Sequence, residues 1–329
     1  MTKLETQQIR EPSGIARVGV VVLNWNSEET TRCVLRDLGQ ARDVRLLVYL
    51  VDNGSISPEG NALLAEFPDS ILVALPKNVG FARGVNAGAR RALADGCSHI
   101  LLLNNDARIE PDRVIPALLA ELACDRMIGA AGPLVRNSDG SIQSTGYRYS
   151  MWWPIPRPLK GSARDNCAHW YYLSGSCLLI RADALRATGG LDPDYFLYGD
   201  DVDFALKLHA LGYREQIVHT VSIEHARAAS TTLYSKRYAY TALRSNLIVV
   251  AKHASLMQRP TAFLACACAS LALALLGILH RHFDVPLAAV RAWLDFVAGR
   301  WGGFSDAPEI LSPPAPTDSL GLDADPVHA

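Results

Sequence analysis

The sequence offers no cysteine framework. Its seven cysteines (33, 97, 124, 167, 177, 266 and 268) are odd in number, scattered, and contain no CxxC pair. That argues against a disulfide scaffold or a zinc site and fits a reducing cytosol. An excess charge of one sign is also missing: 32 Lys and Arg stand against 33 Asp and Glu, for a net charge of −1. Without a basic field, nucleic acid is not an expected partner. No GxGxxG follows the first apolar run, which argues against a dinucleotide-dependent dehydrogenase. Met1 to Arg17 lacks an apolar stretch, so no signal peptide is expected. From Pro260 to Leu279 there is no charged residue at all, and from Ser305 onward there is no Lys or Arg.

What is present is a globular composition, 49% hydrophobic over 329 residues, enough for one large domain or two ordinary ones. Residues 1–16 read as a flexible arm. Val18 to Leu23, Arg45 to Val51, Ile71 to Leu75 and Ile100 to Leu103 read as strands. Helices are expected from Glu28 to about Gln40, with Ser27 as N-cap, from Gly80 to Ala94, and after Pro111. This alternation predicts an α/β fold with a mostly parallel, doubly wound sheet. Further on, Met127 to Val135 reads as a strand, Ile142 to Tyr149 as a hairpin, Trp152 to Asn166 as a Pro-rich loop and Trp170 to Ile180 as one strand. Helices are expected at Ala182 to Thr188, Asp200 to Leu211, 234–253 and 286–301, and a strand at Gln216 to Glu224.

Parallel strands release their chain at one edge of a sheet, where such folds bind ligands. The run Ile100-Leu101-Leu102-Leu103 empties there into Asn104-Asn105-Asp106. Asp106 suits a hard divalent cation and, through it, a diphosphate; the alternative is a turn before the next helix. Asp52 ends the second strand in the same way. It is placed to accept from a base imide or a ribose hydroxyl, or to form an Asx-turn. Gly80, Gly84 and Gly88 share one helix face, which permits close backbone approach to a ligand or tight helix–sheet packing. Packing does not account for Asn78, Arg83 and Asn86, which are candidates to bind a nucleotide directly. Tyr198-Gly199-Asp200-Asp201-Val202-Asp203 opens a largely apolar helix, so one of its acids is a candidate general base. His225 ends a later strand and is a candidate partner of Asp106 on a cation.

Taken in order, Val22-Leu23-Asn24-Trp25-Asn26, Val51-Asp52-Asn53-Gly54-Ser55, Asn78 to Asn86, Leu101 to Asp106, Gly189-Gly190-Leu191-Asp192, Tyr198 to Gly212, and His225 with Ser230 resemble the inverting, GT-A-type glycosyltransferases of family 2. The branch they look most like is the rhamnosyltransferase-like one that builds bacterial surface polysaccharides. The resemblance implies a GT-A (nucleotide-diphospho-sugar transferase) fold over 17–232. It implies a donor such as a dTDP- or UDP-sugar, a glycan or lipid-linked acceptor, and Mg²⁺ or Mn²⁺ as cofactor. It implies that Asn24, Asn26, Asp52, Asn53, Asn78, Arg83, Asn86, Asn104 and Asn105 line the donor site. Asp106 would be the metal-binding acid, His225 would bind metal or diphosphate, and Asp201 would be the base beside Asp200. Two positions depart from the pattern: Asn104 stands for the first acid of the DxD-like motif and Asp200 for the usual Glu.

Two rivals are weighed against this. A sugar nucleotidyltransferase normally carries a Gly-rich basic loop after its first strand, and here that loop is Asn24-Trp25-Asn26-Ser27. A non-catalytic carbohydrate-binding protein has no need of acids and a histidine at separate element ends. Residues 260–279 are long enough to span a bilayer, and residues 286–301 are amphipathic as an interfacial helix is. A membrane-associated region over 233–304, lying on or dipping into the inner leaflet on the cytoplasmic face, is therefore expected. A span and a buried soluble helix are the alternatives. Aromatics between 147 and 172 are candidates for an acceptor wall or for ordinary packing. Residues 305–329 read as a disordered tail.

Overall fold

The computed structural model describes residues 16–159, 171–226 and 235–302. The expected arm (1–16) and tail (305–329), and also Trp170 and Ser230, fall wholly or almost wholly outside them. The chain opens with β1 (Val18–Asn24), α1 (Glu28–Leu38), β2 (Leu46–Asp52), α2 (Glu59–Glu66), β3 (Ile71–Ala74), α3 (Phe81–Ala94) and β4 (His99–Asn104). All four strands are parallel, in the order β3-β2-β1-β4. They are apolar runs because both faces are covered. Side chains alternate across β1: Val21 packs with Val85 and Ala89 of α3, while Val20 and Val22 pack with Val34 and Leu38 of α1. A Cβ on Gly88 would meet Val21 Cγ1 at 2.7 Å, so the four-residue glycine spacing serves helix–sheet packing.

The chain continues through β5 (Ala107–Arg108), α4 (Pro111–Cys124), β6 (Ile128–Arg136), β7 (Ile142–Ser144), β8 (Tyr147–Ser150), β9 (Trp153–Pro158), β10 (Tyr171–Tyr172), β11 (Cys177–Arg181), α5 (Ala182–Thr188), α6 (Asp200–Ala210) and β12 (Arg214–His225). The main sheet runs β3-β2-β1-β4-β11-β6-β12-β5, with β7 beside β6. β11 lies antiparallel between β4 and β6, and β12 is parallel to β6.

Three expectations are corrected here. Trp153–Pro158 is not a loop but an edge strand of a small second sheet, β10-β8-β9. Prolines are tolerated there because the outer edge asks for no N–H. The expected single strand over 170–180 is broken at Leu173–Ser176 and divided between two sheets. The expected hairpin over 142–149 is likewise divided: β7 stays on β6 and β8 joins the second sheet.

α7 (Lys236–His253), α8 (Arg259–Leu279) and α9 (Val285–Val297) complete the described chain. α7 is not a separate layer. Its Leu247 and Ile248 share a core with Tyr195, Val202 of α6 and Tyr172. Lys252 bridges Asp192 and Asp194 at 2.7 Å each, and His253 Nε2 lies 2.7 Å from Asp203 Oδ1. The helix that leads to the apolar segment is thereby fixed to the helix that carries the candidate base.

Candidate active site

Register brings the strand exits together: Asn24 pairs with Asp52, and Leu23 with Asn104. Asn24 points inward and is 0% exposed. Its Oδ1 accepts from Thr31 Oγ1 at 2.7 Å, and its Nδ2 donates to Glu59 Oε2 at 2.9 Å and Ser55 Oγ at 3.2 Å. It ties the loops after β1 and β2 together and has no surface for a ligand. Asn53 is also buried, accepting from Val79 N–H at 3.0 Å and donating to Asn78 Oδ1 at 3.1 Å, which shapes the turn into α3. Asn86 is spent on the Leu191 backbone, donating to its carbonyl at 2.6 Å and accepting from its N–H at 3.0 Å. Arg83 Nε donates to the Pro193 carbonyl at 3.0 Å. Asp52 accepts from Ser55 N–H at 3.1 Å and Gly60 N–H at 3.2 Å, an Asx-type turn that leaves the half-buried carboxylate beside the opening. Asn26 Oδ1 accepts from Ile56 N–H at 2.9 Å, and its Nδ2 is buried without a partner. Asn105 Nδ2 donates to Thr31 Oγ1 at 2.9 Å.

Asp106 and His225 do meet. β5 pairs antiparallel with the end of β12, Ala107 opposite His225. This sets His225 Nε2 3.1 Å from Asp106 Oδ1 and 3.2 Å from Asn104 Nδ2. His225 Nδ1 lies 3.3 Å from Gln143 Oε1. With Nδ1–H given to Gln143, Nε2 is an acceptor that the Asn104 amide and the Asp106 carboxylate both face, so a cation could be held between Nε2 and Oδ1. Among the described residues no group of three or more metal-ligating side chains occurs. The pair could offer a cation one carboxylate and one imidazole.

The three acids of α6 diverge. Tyr198 and Gly199 turn the chain through left-handed backbone, at φ 66° and 79°. Asp203 points into the core toward His253 and Lys207. Asp200 is buried and Asp201 half-buried. Burial pushes both above the ordinary carboxylate range, and the Asp201 charge raises Asp200 further. Asp201 accepts from Val202 N–H at 2.9 Å and from Gly175 N–H. Of the two candidate bases it is the more open to solvent.

Glu215 has no counterpart in the sequence reading, because a lone acid at a strand start carries no signal. Its Oε2 accepts from Leu173 N–H at 2.6 Å, at the head of the segment that reaches Asp201 through Gly175, and its Oε1 has no partner. Burial pushes this carboxyl from 4.5 to about 8, with the Asp201 charge adding to the rise. A raised folded-state value means stability fully present below the unfolded pKa and lost as pH rises through about 8. Glu215→Gln keeps the acceptor and removes the titration. It is expected to flatten the decline in melting temperature between pH 5 and 9, a difference on the order of a few kcal/mol at the alkaline end. Parallel melting curves for the two proteins would count against this.

A family model, glycosyl transferase family 2, matches residues 19–189, from β1 through α5. The chain belongs to glycosyltransferase family 2. This family 2 glycosyltransferase is 27% identical over 247 residues to N-acetylglucosaminyl-diphospho-decaprenol L-rhamnosyltransferase of Mycobacterium tuberculosis, covering 64% of this chain and 76% of the relative. It is also 27% identical over 243 residues to the O-antigen biosynthesis protein RfbC of Myxococcus xanthus, covering 68% of this chain and 18% of that much longer protein. Among solved structures it resembles the mannosyltransferase PcManGT of Pyrobaculum calidifontis, determined with GDP-Man and Mn²⁺. The TM-score is 0.55 at 18% identity, over 88% of this chain and 89% of that one. The fold is thus that of the GT-A glycosyltransferases, and neither a nucleotidyltransferase nor a non-catalytic binding protein is favoured. The family match ends before α6 and β12, the elements that carry Asp200, Asp201 and His225.

Proposed function

We propose that the protein is an inverting glycosyltransferase that moves a sugar from a nucleoside-diphosphate donor to a hydroxyl of a lipid-linked glycan. The observation that carries this reading is the meeting of Asp106 and His225 at the strand edge that Asp52 and Asn104 share. The mycobacterial relative supports rhamnose as the sugar and an acceptor joined to its lipid through a diphosphate. Asp52 and Asn78 would meet the base and ribose, with Asn104 and Asn105 toward the phosphates. Asp106 and His225 would hold Mg²⁺ or Mn²⁺, which when bound offsets the charge of the departing diphosphate. Asp201 takes the proton from the acceptor hydroxyl, whose oxygen attacks the anomeric carbon as the nucleoside diphosphate departs on the opposite face. The Val202 and Gly175 N–H groups orient that carboxylate, leaving its free edge to the acceptor. The catalytic body spans 17–232, with 233–304 as the membrane-associated region.

The apolar C-terminal helices support that acceptor. α8 is the one helix among the described residues long and apolar enough to cross a membrane. Its inner face, Ala262, Ala265, Cys266 and Ser270, is nonetheless buried, and Trp293 Nε1 of α9 donates to Ser270 Oγ at 3.0 Å. Leu264, Leu271 and Leu275 of α8 are exposed, as are Leu287, Val290, Leu294 and Val297 of α9. An apolar face that wide on a pair of packed helices suits a bilayer surface more than a span. The reading is a monotopic attachment to the cytoplasmic face of the inner membrane.

One experiment tests both parts. The purified protein is offered a panel of nucleotide sugars with and without EDTA, and flotation with phospholipid vesicles is followed in high salt. Hydrolysis of one donor, lost in EDTA, is expected, as is flotation that Leu271→Asp with Leu294→Asp abolishes. Inertness toward every donor counts against the activity, and a chain that stays with the soluble fraction counts against the membrane placement.

A further inference from the structure

Trp25 and Asn26 follow β1 directly, at the edge where the parallel strands release their chain. Arg237, in the first turn of α7, lays its guanidinium over the Trp25 ring, 5.0 Å from the centroid. Its Nε is buried and has no hydrogen-bond partner among the described residues, and Asn26 Nδ2, next to Trp25 in the chain, is in the same condition. Buried N–H donors left unpaired are costly in a folded protein, and the cost is relieved by an acceptor. Burial lowers the pKa of this guanidinium, and no carboxylate opposes that among the described residues; the group that raises it is the Tyr198 hydroxyl. Tyr198 immediately precedes Gly199-Asp200-Asp201, and its ring meets that of Tyr238, the neighbour of Arg237, at 5.5 Å. Arg237 thus stands between the loop after β1 and the turn that carries the candidate base. Its orientation is fixed by the indole, and its charge has no carboxylate partner among the described residues.

We propose that Trp25, Asn26 and Arg237 form a clamp for a diphosphate. A guanidinium presents a planar fork of donors that matches phosphate oxygens in pairs, and the Asn26 amide adds a third direction. The clamp rests on the glycosyltransferase reading, which supplies two diphosphates of the same chemistry: the one leaving with the donor nucleoside and the one joining the acceptor sugar to its lipid. Arg237 sits in the first turn of α7, and the two diphosphates present the same oxygens to its fork.

The test uses the full chain and the variants Arg237→Gln and Arg237→Lys. Binding of UDP, dTDP, GDP and inorganic pyrophosphate is measured by titration calorimetry in EDTA, so that contacts through a cation do not contribute. KM is then measured, with metal restored, for a polyprenyl-diphosphate-linked N-acetylglucosamine. Arg237→Gln is expected to weaken one of these by about tenfold or more, as loss of a charge-assisted contact does, with an unchanged melting temperature. Arg237→Lys, which keeps the charge and loses the fork, is expected to fall between. Weakened nucleotide binding assigns the clamp to the donor, and a raised acceptor KM assigns it to the lipid-linked substrate. If Arg237→Gln lowers the melting temperature, Arg237→Lys carries the test alone. Unchanged affinity and KM beside an active wild type overturn the clamp and leave the functional reading standing. A wild type that binds no diphosphate and transfers no sugar overturns both.

Discussion

Asp201→Asn is expected to abolish sugar transfer while leaving nucleoside-diphosphate binding intact. Asparagine keeps an oxygen that accepts from the Val202 and Gly175 N–H groups, so the turn before α6 is preserved. What it removes is the ability to take a proton, a contribution of about 10²–10⁴ in rate. kcat should fall by that factor with the donor KM little changed. Asp200→Asn should cost far less, because Asp200 is the more buried of the two. If Asp200→Asn proves the inactive variant and Asp201→Asn turns over normally, the assignment reverses. The pH profile gives an independent check. The base acts ionised, and burial lifts its pKa above the ordinary range near 4. The acid limb of kcat/KM should therefore lie above that range, with activity lost as pH falls through the raised value. A limb at the value of an unperturbed aspartate would mean that Asp201 is solvated in the working enzyme.

Much of this arrangement is legible in the chain because parallel strands write themselves plainly. Val18 to Leu23 and Ile100 to Leu103 are apolar without interruption and end in Asn or Asp, which announces both the strand and the edge where it opens. The same reasoning does not say which way an edge residue points. Asn24 and Asp106 look alike in sequence, yet register turns Asn24 inward to Thr31 and Glu59 and leaves Asp106 beside His225. That second contact depends on a two-residue strand, Ala107–Arg108, too short to carry any periodicity. The break in 170–180 is marked only by Ser174-Gly175-Ser176, and both flanking pieces are apolar. Nothing local says that they serve different sheets. Glu215 and Arg237 escape for a different reason. Each matters through a neighbour dozens to hundreds of residues away, Leu173 in one case and Trp25 in the other.

Asp106→Ala is expected to have the second large effect, and it should appear first in cation binding. With Asn104 where a second acid is usual, the protein offers one carboxylate and one imidazole, so a cation held without substrate is held weakly. Donor phosphates would complete the shell of a cation held there, so by linkage Mn²⁺ and nucleoside diphosphate should each strengthen the binding of the other. Removing Asp106 leaves His225 alone. Mn²⁺ affinity measured by electron paramagnetic resonance in the presence of UDP or dTDP should drop by at least about ten- to a hundredfold, the range found when only a supporting group around a metal is lost. Gln143→Ala, which frees the His225 ring from its 3.3 Å contact at Nδ1, should give the smaller loss. The order of the two variants carries the argument. A carboxylate that binds the cation must outrank the amide that merely aims the ring, and Mn²⁺ affinity unchanged in Asp106→Ala would remove Asp106 from the cation site altogether.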